Sequence, residues 1–266
     1  MTNPDGPRNG ARVEQAEAGL EQIHSRLRED TEAIINNPVL EAVENGNLTQ
    51  DEWREFAKQR YLAARHFEEL LKAGIQKAQE IGDQELVEAL SSNLRDEEGI
   101  NAQGQPLQTG SHEKWRQDFY NALGLDDHAL SSAEPFEGTV AYDSTLRQLI
   151  DKEDVHTVAG ALLIQEYSIP EEFKHIQVGR DRTFPAEFVI KEGDTREQRR
   201  QKGFARLYID HHIAHDATSH YPDLERAISK YAADPESLAK IMKGMEIIRT
   251  AKQKFYESLR QIQGQK

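Results

Sequence analysis

One segment, RLYIDHHIAHDATSHYPDL, concentrates the residue types that bind metal ions. His212, Asp216 and His220 follow one another at intervals of four, so on an α-helix they spread over about 80° and can face one site. Phe204 and Tyr208 lie on the adjoining face, which directs this side of the helix toward the core. Two imidazoles and a carboxylate that face inward suit a non-haem iron ion better than zinc or magnesium. The alternative interpretation is a histidine-rich face that is solvated.

Carboxylates on other predicted helices are candidate partners for these residues. Glu166 ends the apolar stretch ALLIQE, where a carboxylate is costly unless it is paired or binds a metal ion. At the edge of that stripe it would instead reach solvent. Glu97 lies seven residues after Leu90 and continues its apolar stripe. Glu98, four residues after Leu94, does so nearly as well, which leaves both glutamates as candidates.

A third histidine completes the candidate set. His112 shares a helical face with Trp115 and Phe119, so it points inward, either as a ligand or as a structural, hydrogen-bonded histidine. The candidate metal ligands are Glu97, His112, Glu166, His212, Asp216 and His220. Three carboxylates offset most of the charge of two ferrous ions, and a carboxylate bridge can hold two such ions together. A pair of irons held in this way can pass electrons to dioxygen.

Helical periodicity predicts the elements that position these residues. The predicted helices span about 12–36, 38–45, 50–81, 84–98, 111–124, 139–150, 154–167, 196–220 and 235–261. Thr49 and Glu52 form a capping box that opens the third helix. Pro170 predicts a kink or break, and residues 176–198 are the one place where a short strand is possible. We expect a flexible tail over residues 1–11 and a single all-α domain over residues 12–266.

Composition limits the class of function. The chain has 33 basic and 47 acidic residues and a net charge of −14, which disfavours binding to nucleic acid or to an anionic membrane surface. No run of about 18 apolar residues predicts membrane insertion, and the first residues lack the apolar stretch of a secretory signal. The absence of cysteine excludes thiolate metal sites, iron–sulfur clusters and cysteine nucleophiles. We therefore expect a cytoplasmic protein.

The candidate residues resemble the haem-oxygenase-like diiron oxidases and oxygenases. That superfamily includes TenA, pyrroloquinoline-quinone synthase and CADD-like proteins. The matching positions are residues 93–99 (NLRDEEG), His112, Glu166 and His212-x-x-x-Asp216, and the resemblance covers most of residues 36–261. It implies a single-domain seven-helix bundle and two iron ions with dioxygen as co-substrate. It also implies a biosynthetic oxidoreductase that acts on a small carboxylate-bearing substrate, an amino acid or a fatty acid, by C–C cleavage, desaturation or N-oxygenation.

The chain departs from the family pattern at its last histidine. The family has histidine three residues after the aspartate, where this chain has Ser219. A local π-bulge would bring His220 into place; otherwise His215 substitutes for it.

Beyond the ligands, the resemblance suggests further roles near the metal ions. Glu97, Glu166, Tyr61 and Tyr208 are the candidate catalytic residues. Tyr61 is included because family members that make aminobenzoate consume an internal tyrosine. The cations near the predicted ligand helices, one of which would hold the substrate carboxylate, are Arg60, Arg65, Lys174 and Arg206.

Three alternatives stay open at this stage. A ferritin-like diiron bundle would use the Glu-x-x-His motifs at Glu21–His24 and Glu172–His175. A metal-free enzyme on the same fold would resemble quinone-cofactor synthases or TenA. A helical interaction protein without catalysis would satisfy the inward histidines and aspartate by pairing them with each other. A homodimer is the default expectation for the oligomeric state.

Overall fold

The computed structural model of the chain describes residues 6–107 and 110–264, and it is all-α, as predicted. The helices are α1 (Gly6–Ile35), α2 (Pro38–Glu44), α3 (Gln50–Ala64), α4 (Phe67–Glu80), α5 (Gln84–Glu97), α6 (His112–Ala122), α7 (Asp127–Ser131), α8 (Glu137–Lys152), α9 (Val155–Thr183), α10 (Pro185–Phe188), α11 (Arg196–His215), α12 (Tyr221–Ser229) and α13 (Pro235–Leu259). A π-helix over Asp216–His220 joins α11 to α12, and a 3₁₀-helix over Arg260–Gly264 follows α13. None of the described helices is long and apolar enough to cross a membrane.

Side-chain caps start the helices close to the predicted positions. The capping box of Thr49 and Glu52 opens α3, and Thr195 and Gln198 form a second one at the start of α11. Asn37 accepts hydrogen bonds from the first turn of α2. Because each cap satisfies backbone N–H groups that have no partner within the helix, these starts are determined locally.

The long central helix α9 extends beyond its predicted end near residue 167. It continues through Pro170, where the sequence predicted a kink or a break, to Thr183, and residues 176–198, where a short strand was possible, contain no strand in the structure. Proline deprives the Glu166 carbonyl of its usual helical partner. Pro170 is nevertheless buried, because α9 packs against α2, α11 and α13, and this tertiary packing outweighs the local cost.

Other helix boundaries also differ from the predictions. The first helix begins at Gly6, before the predicted start near residue 12, while residues 1–5 lie outside the described residues. The single helix predicted over residues 50–81 is two helices, α3 and α4. The break follows the sequence AARHF, which contains no glycine or proline. His66 lies at this break, with Nε2 3.0 Å from an Asp143 oxygen.

Two glycines let α13 pack closely along α9. A Cβ atom on Gly160 would lie 2.0 Å from the carbonyl oxygen of Ile241, and one on Gly244 would lie 1.9 Å from that of Thr157. No side chain fits at such distances, so the two backbones touch at these points. This contact buries the central face of α9, and with it Glu166 and nearby polar residues.

The connection between α5 and α6 brings two predicted ligands together across fifteen residues of sequence. Gly99 ends α5 with a φ of 68°, a conformation that favours glycine, and a Cβ there would lie 2.5 Å from Ser111 Cα. Leu107 N–H donates to the Gly99 carbonyl at 2.7 Å. The loop therefore returns to its starting point, and the cap residue Ser111 starts α6 with His112 beside Glu97.

Candidate metal centre

Three of the predicted ligands meet where α5, α6 and α11 converge. Glu97, His112 and His212, called here the first triad, each offer a ligand atom within 4.8 Å of the others. His112 Nδ1 lies 2.9 Å from a Glu97 oxygen, and His212 Nε2 lies 4.0 Å from the other Glu97 oxygen. Both histidines are buried. The triad thus joins residues that are more than a hundred positions apart in the sequence.

The remaining three predicted ligands form a second buried group. Glu166, Asp216 and His220, called here the second triad, also have ligand atoms within 4.8 Å of one another. His220 Nδ1 lies 3.4 Å from Asp216 Oδ1 and 3.5 Å from Glu166 Oε2. The π-helix over Asp216–His220 widens this turn and brings His220 onto the inward face, which is one of the two arrangements that the sequence left open.

The structure also separates the alternative ligands from the buried triads. Glu98 is exposed and lies 3.3 Å from Lys72 Nζ, so Glu97 is the glutamate that faces the interior. His215 is partly exposed, with Nε2 3.5 Å from Asp96 Oδ2. It belongs to a third group of potential ligands, Asp96, His211 and His215, outside the buried triads. Phe204, expected to direct α11 inward, is itself 42% exposed.

Charges within the triads shift the pKa values of their members. Burial raises the pKa of Asp216 to about 7. Burial opposes the charged form of His112, but the negative charges of Glu97 and Asp96 together outweigh it and raise the pKa of His112 to about 10. Burial also opposes the charged form of His220, but the nearby carboxylates of Asp216, Asp96 and Glu166 together outweigh it and raise the pKa of His220 to about 12. Burial, helped by the charge of His112, lowers the pKa of His212 to about 3. A divalent cation would compete with the protons held here.

Unpartnered atoms show that the residues present fit a metal ion. Asp216 Oδ1 and His112 Nδ1 are buried and make no hydrogen bond of acceptable geometry, although Glu97 and His220 lie nearby. Buried polar atoms without a partner are costly, and a bound cation supplies the missing partner to both. Imidazole nitrogens and carboxylate oxygens are the donors found in non-haem iron sites.

Comparison with protein-family models shows the family of the chain. Residues 54–252 match the model of a family described as iron-containing redox enzymes. The chain belongs to this family. The match spans well over half of the chain and includes all six predicted ligands, and it confirms the superfamily predicted from the sequence.

Solved structures share the fold of this family member at low sequence identity. A CADD-like protein of unknown function from Nostoc punctiforme is 20% identical, with a TM-score of 0.67 over 92% of this chain and 97% of that one. A TenA homolog from Pseudomonas syringae pv. tomato is 11% identical, with a TM-score of 0.68 over 91% of this chain and 92% of that one. These similarities confirm the haem-oxygenase-like fold. No curated protein matches the chain.

A cavity of this family member reaches both triads. It encloses about 1020 Å³ of space free of protein atoms, including space open to solvent. Five predicted ligands line it: Glu97, His112, Glu166, His212 and Asp216. Arg60, Gln165, Glu172, Tyr208 and Lys252 also line it, so the cavity joins the triads to a second set of buried polar groups.

The second set, called here the Glu172 cluster, consists of Arg60, Glu172, Lys252 and Tyr256. Arg60 Nη1 donates to Glu172 Oε2 at 3.2 Å and to the Tyr256 hydroxyl at 2.7 Å. Lys252 and Tyr256 also donate to Glu172. Burial opposes ionisation of Glu172, but Lys252, Arg60 and Tyr256 together outweigh it and lower the Glu172 pKa to about 2. Two cations therefore share one carboxylate.

The other predicted cations and tyrosines divide between the cavity and the surface. Arg65 lines the cavity, 3.2 Å from Asp143, whereas Lys174 and Arg206 pair with neighbouring acidic residues away from it. Burial raises the pKa of Tyr208, which therefore keeps its proton beside the first triad. Tyr61 is not among the residues that line the cavity; its ring packs edge-on against Tyr120.

Residues that the sequence analysis did not select also belong to the site. Lys252 and Gln165 line the cavity, and Asp96 lies beside both triads. Lys252 had a detectable signal, because it interrupts the apolar stripe of α13 between Ile248 and Tyr256. The charge of a lysine at such a position requires a buried partner.

The ferritin-like alternative does not match the structure. Glu172 is occupied by the cations of its own cluster, and His175 contacts Glu44 at 2.7 Å instead. Glu21 pairs with Arg28 at the surface, and His24 contacts Glu225. Neither motif is part of a metal-binding group among the described residues.

Proposed function

We propose that the chain is a non-haem diiron oxidoreductase that depends on dioxygen. The observation that carries this proposal is the convergence of two triads, buried except for the partly exposed Glu97 and each with carboxylate and imidazole donors, on one cavity. Two bound iron ions would supply the electrons that activate dioxygen. Glu97, His112 and His212 would hold one ion, and the other would be held by Glu166, Asp216 and His220.

The chain's own residues prepare this centre for catalysis. The three carboxylates compensate most of the charge of two ferrous ions inside a buried site. Glu97 and Glu166 belong to the triads that would hold the ions and also line the cavity, so we assign them to the catalytic centre. Tyr208 keeps its phenolic proton and lies on the cavity wall, where it can donate that proton to a bound substrate.

Groups in the cavity favour a small substrate that bears a carboxylate, an amino acid or a fatty acid. Arg60 and Lys252 carry two positive charges against the single carboxylate of Glu172. Gln165 Nε2 is buried on the same cavity wall and has no hydrogen-bond partner. An entering carboxylate would balance the excess charge and accept from Gln165. C–C cleavage, desaturation and N-oxygenation remain the reaction types proposed for this substrate.

Iron loading tests the proposed function. Purified protein is loaded with Fe(II) without oxygen, desalted and then exposed to oxygen. We expect near two irons per chain, oxygen uptake and a transient absorption band. His212→Ala should abolish iron binding, whereas Glu21→Ala, at an exposed position on α1, should leave it intact.

Two other outcomes of iron loading would contradict the diiron proposal. A failure to bind iron, together with a co-purified organic molecule, would favour a metal-free enzyme like TenA, whose fold this chain shares. Loss of iron in Glu21→Ala but not in His212→Ala would support the ferritin-like site instead.

A further inference from the structure

Asp96 lies between the two triads and contacts histidines from both. Its Oδ2 atom is 3.3 Å from His112 Nε2 and 3.4 Å from His220 Nε2. It also lies 3.2 Å from His211 Nε2 and 3.5 Å from His215 Nε2. One carboxylate oxygen is therefore surrounded by four imidazoles, two buried and two partly exposed.

The two ring nitrogens of each buried histidine face different partners. His112 directs Nδ1 toward Glu97 of the first triad and Nε2 toward Asp96. His220 directs Nδ1 toward Glu166 and Asp216 of the second triad and Nε2 toward Asp96. Each histidine thus offers Nδ1 to its own triad and presents Nε2 to the same carboxylate.

His212 provides an internal contrast. Its Nδ1 lies 2.6 Å from the backbone carbonyl oxygen of Tyr208, which leaves Nε2 to face the first triad. A metal-binding histidine commonly donates its second ring N–H to a carboxylate or a backbone carbonyl, which fixes the tautomer and the ring orientation. Its backbone acceptor makes His212 independent of Asp96.

We propose that Asp96 is a positioning residue that orients one histidine ligand of each iron ion. This inference rests on the proposed diiron function. His112 Nε2 is buried without a hydrogen-bond partner, and a small rotation of the ring turns its 3.3 Å contact with Asp96 into a hydrogen bond. Because His112 and His220 use the same acceptor, one substitution at residue 96 weakens the binding of both ions.

His211 and His215 cover the outer side of this carboxylate. They are one helical turn apart on α11, and their rings stack with centroids 4.7 Å apart. With Asp96 they could bind an ion themselves, since the three offer ligand atoms within 4.8 Å of one another. In that case Asp96 would be a ligand of a third ion, and the chain would bind three ions instead of two.

Anaerobic titration of the full chain with Fe(II), and separately with Co(II), distinguishes these roles. The wild-type protein should bind two ions. Asp96→Asn keeps the shape of the side chain but removes its charge, and we expect the affinity for both ions to fall about 10- to 100-fold. The visible Co(II) spectrum should change for both ions, and Asp96→Glu, which keeps the carboxylate, should restore part of the affinity. Glu98→Gln is the control, because Glu98 is exposed and two residues away.

The outcomes separate this inference from the proposed function. If the wild-type protein does not bind two ions, both the diiron function and the positioning role of Asp96 are contradicted. Two ions in the wild type with unchanged affinity and Co(II) spectrum in Asp96→Asn would overturn the positioning role alone, as would weakening of only one ion. A third equivalent that disappears in His211→Ala would also overturn it. Circular dichroism and thermal unfolding of Asp96→Asn establish that the variant is folded.

Discussion

Glu166 and Glu172 lie six residues apart on the same helix, are equally buried and have opposite surroundings. Glu172 accepts hydrogen bonds from Arg60, Lys252, Tyr256 and Ser168. Glu166 accepts one, from Asn93 at 2.7 Å, and its other oxygen lies 3.5 Å from His220. A buried carboxylate needs compensation for the water it has lost. At Glu172, the compensation comes from cationic side chains of the protein. At Glu166, in the second triad, we expect a bound metal ion to provide it.

The same difference separates the two sides of the site. In the Glu172 cluster, the carboxylate of Glu172 is already surrounded by hydrogen-bond donors of the protein. In the triads, by contrast, Asp216 Oδ1 and His112 Nδ1 are buried without hydrogen bonds. Residue types alone therefore do not show whether a buried carboxylate binds a metal ion. Glu172 belongs to a Glu-x-x-His motif like those of metal sites, but its contacts are those of an ion pair.

The largest effect on the stability of the protein is expected from a substitution in the Glu172 cluster. Glu172→Gln leaves Arg60 and Lys252 buried without a counter-charge, which should lower the free energy of unfolding by about 3–5 kcal/mol. Urea unfolding of the metal-free protein at pH 7 measures this change. A loss below about 1 kcal/mol would show that the cluster is not a stabilising ion-pair network.

The ionised carboxylate of Glu172 should also make the stability of the wild-type protein depend on pH in the acid range. Glu172 has a pKa of about 2 in the folded chain, against an ordinary value of 4.5. A lowered pKa contributes stability that is present above pH 4.5 and is lost as the pH falls toward 2. The contribution is about 3 kcal/mol. Unfolding curves between pH 6 and pH 2 should therefore be less pH-dependent in Glu172→Gln, and equal slopes would contradict the assignment.

The matched substitution at Glu166 should behave differently. Glu166→Gln removes no ion-pair partner of an arginine or lysine, so the metal-free protein should change in stability by less than about 1 kcal/mol. Iron content should instead fall from near two to near one per chain, because the second triad loses a ligand. Metal analysis beside urea unfolding measures both quantities. A large loss of stability with unchanged iron content would mean that Glu166, like Glu172, serves as an ion-pair partner and not as a metal ligand.

The smallest effect is expected at Glu98. Glu98→Gln removes only a surface pair with Lys72, worth no more than about 0.5 kcal/mol, and should leave iron content unchanged. Glu97→Gln, one residue earlier, should reduce iron binding because Glu97 belongs to the first triad. Parallel metal analysis of the two variants compares them directly. Similar iron loss in both would argue against the assignment of Glu97.

Local patterns in the sequence were enough to predict most of the helices and the six residues of the triads. Periodicity predicted inward faces for Glu97, Glu166 and His112, with Glu98 as an alternative to Glu97. The spacing around Ser219 predicted either a π-bulge before His220 or a substitution by His215, and the structure contains the π-helix. Each of these predictions about local geometry depends on residues within one or two helical turns, whereas metal binding by the six residues stays a prediction.

Features that depend on distant segments escaped the sequence analysis. The course of α9 through Pro170 depends on packing against three other helices, which outweighs local propensity. Lys252 meets Glu172 across eighty residues, so no local spacing connects them. The return of the α5–α6 loop required Gly99 to lie against Ser111, a contact that only the folded chain reveals.

Anomalous diffraction at the iron absorption edge, on crystals loaded anaerobically with Fe(II), tests the central claim most directly. We predict two anomalous peaks per chain, one among Glu97, His112 and His212 and the other among Glu166, Asp216 and His220. Peaks located only elsewhere, such as beside Glu172 and His175, or no peak in either triad at saturating iron, would contradict the diiron assignment.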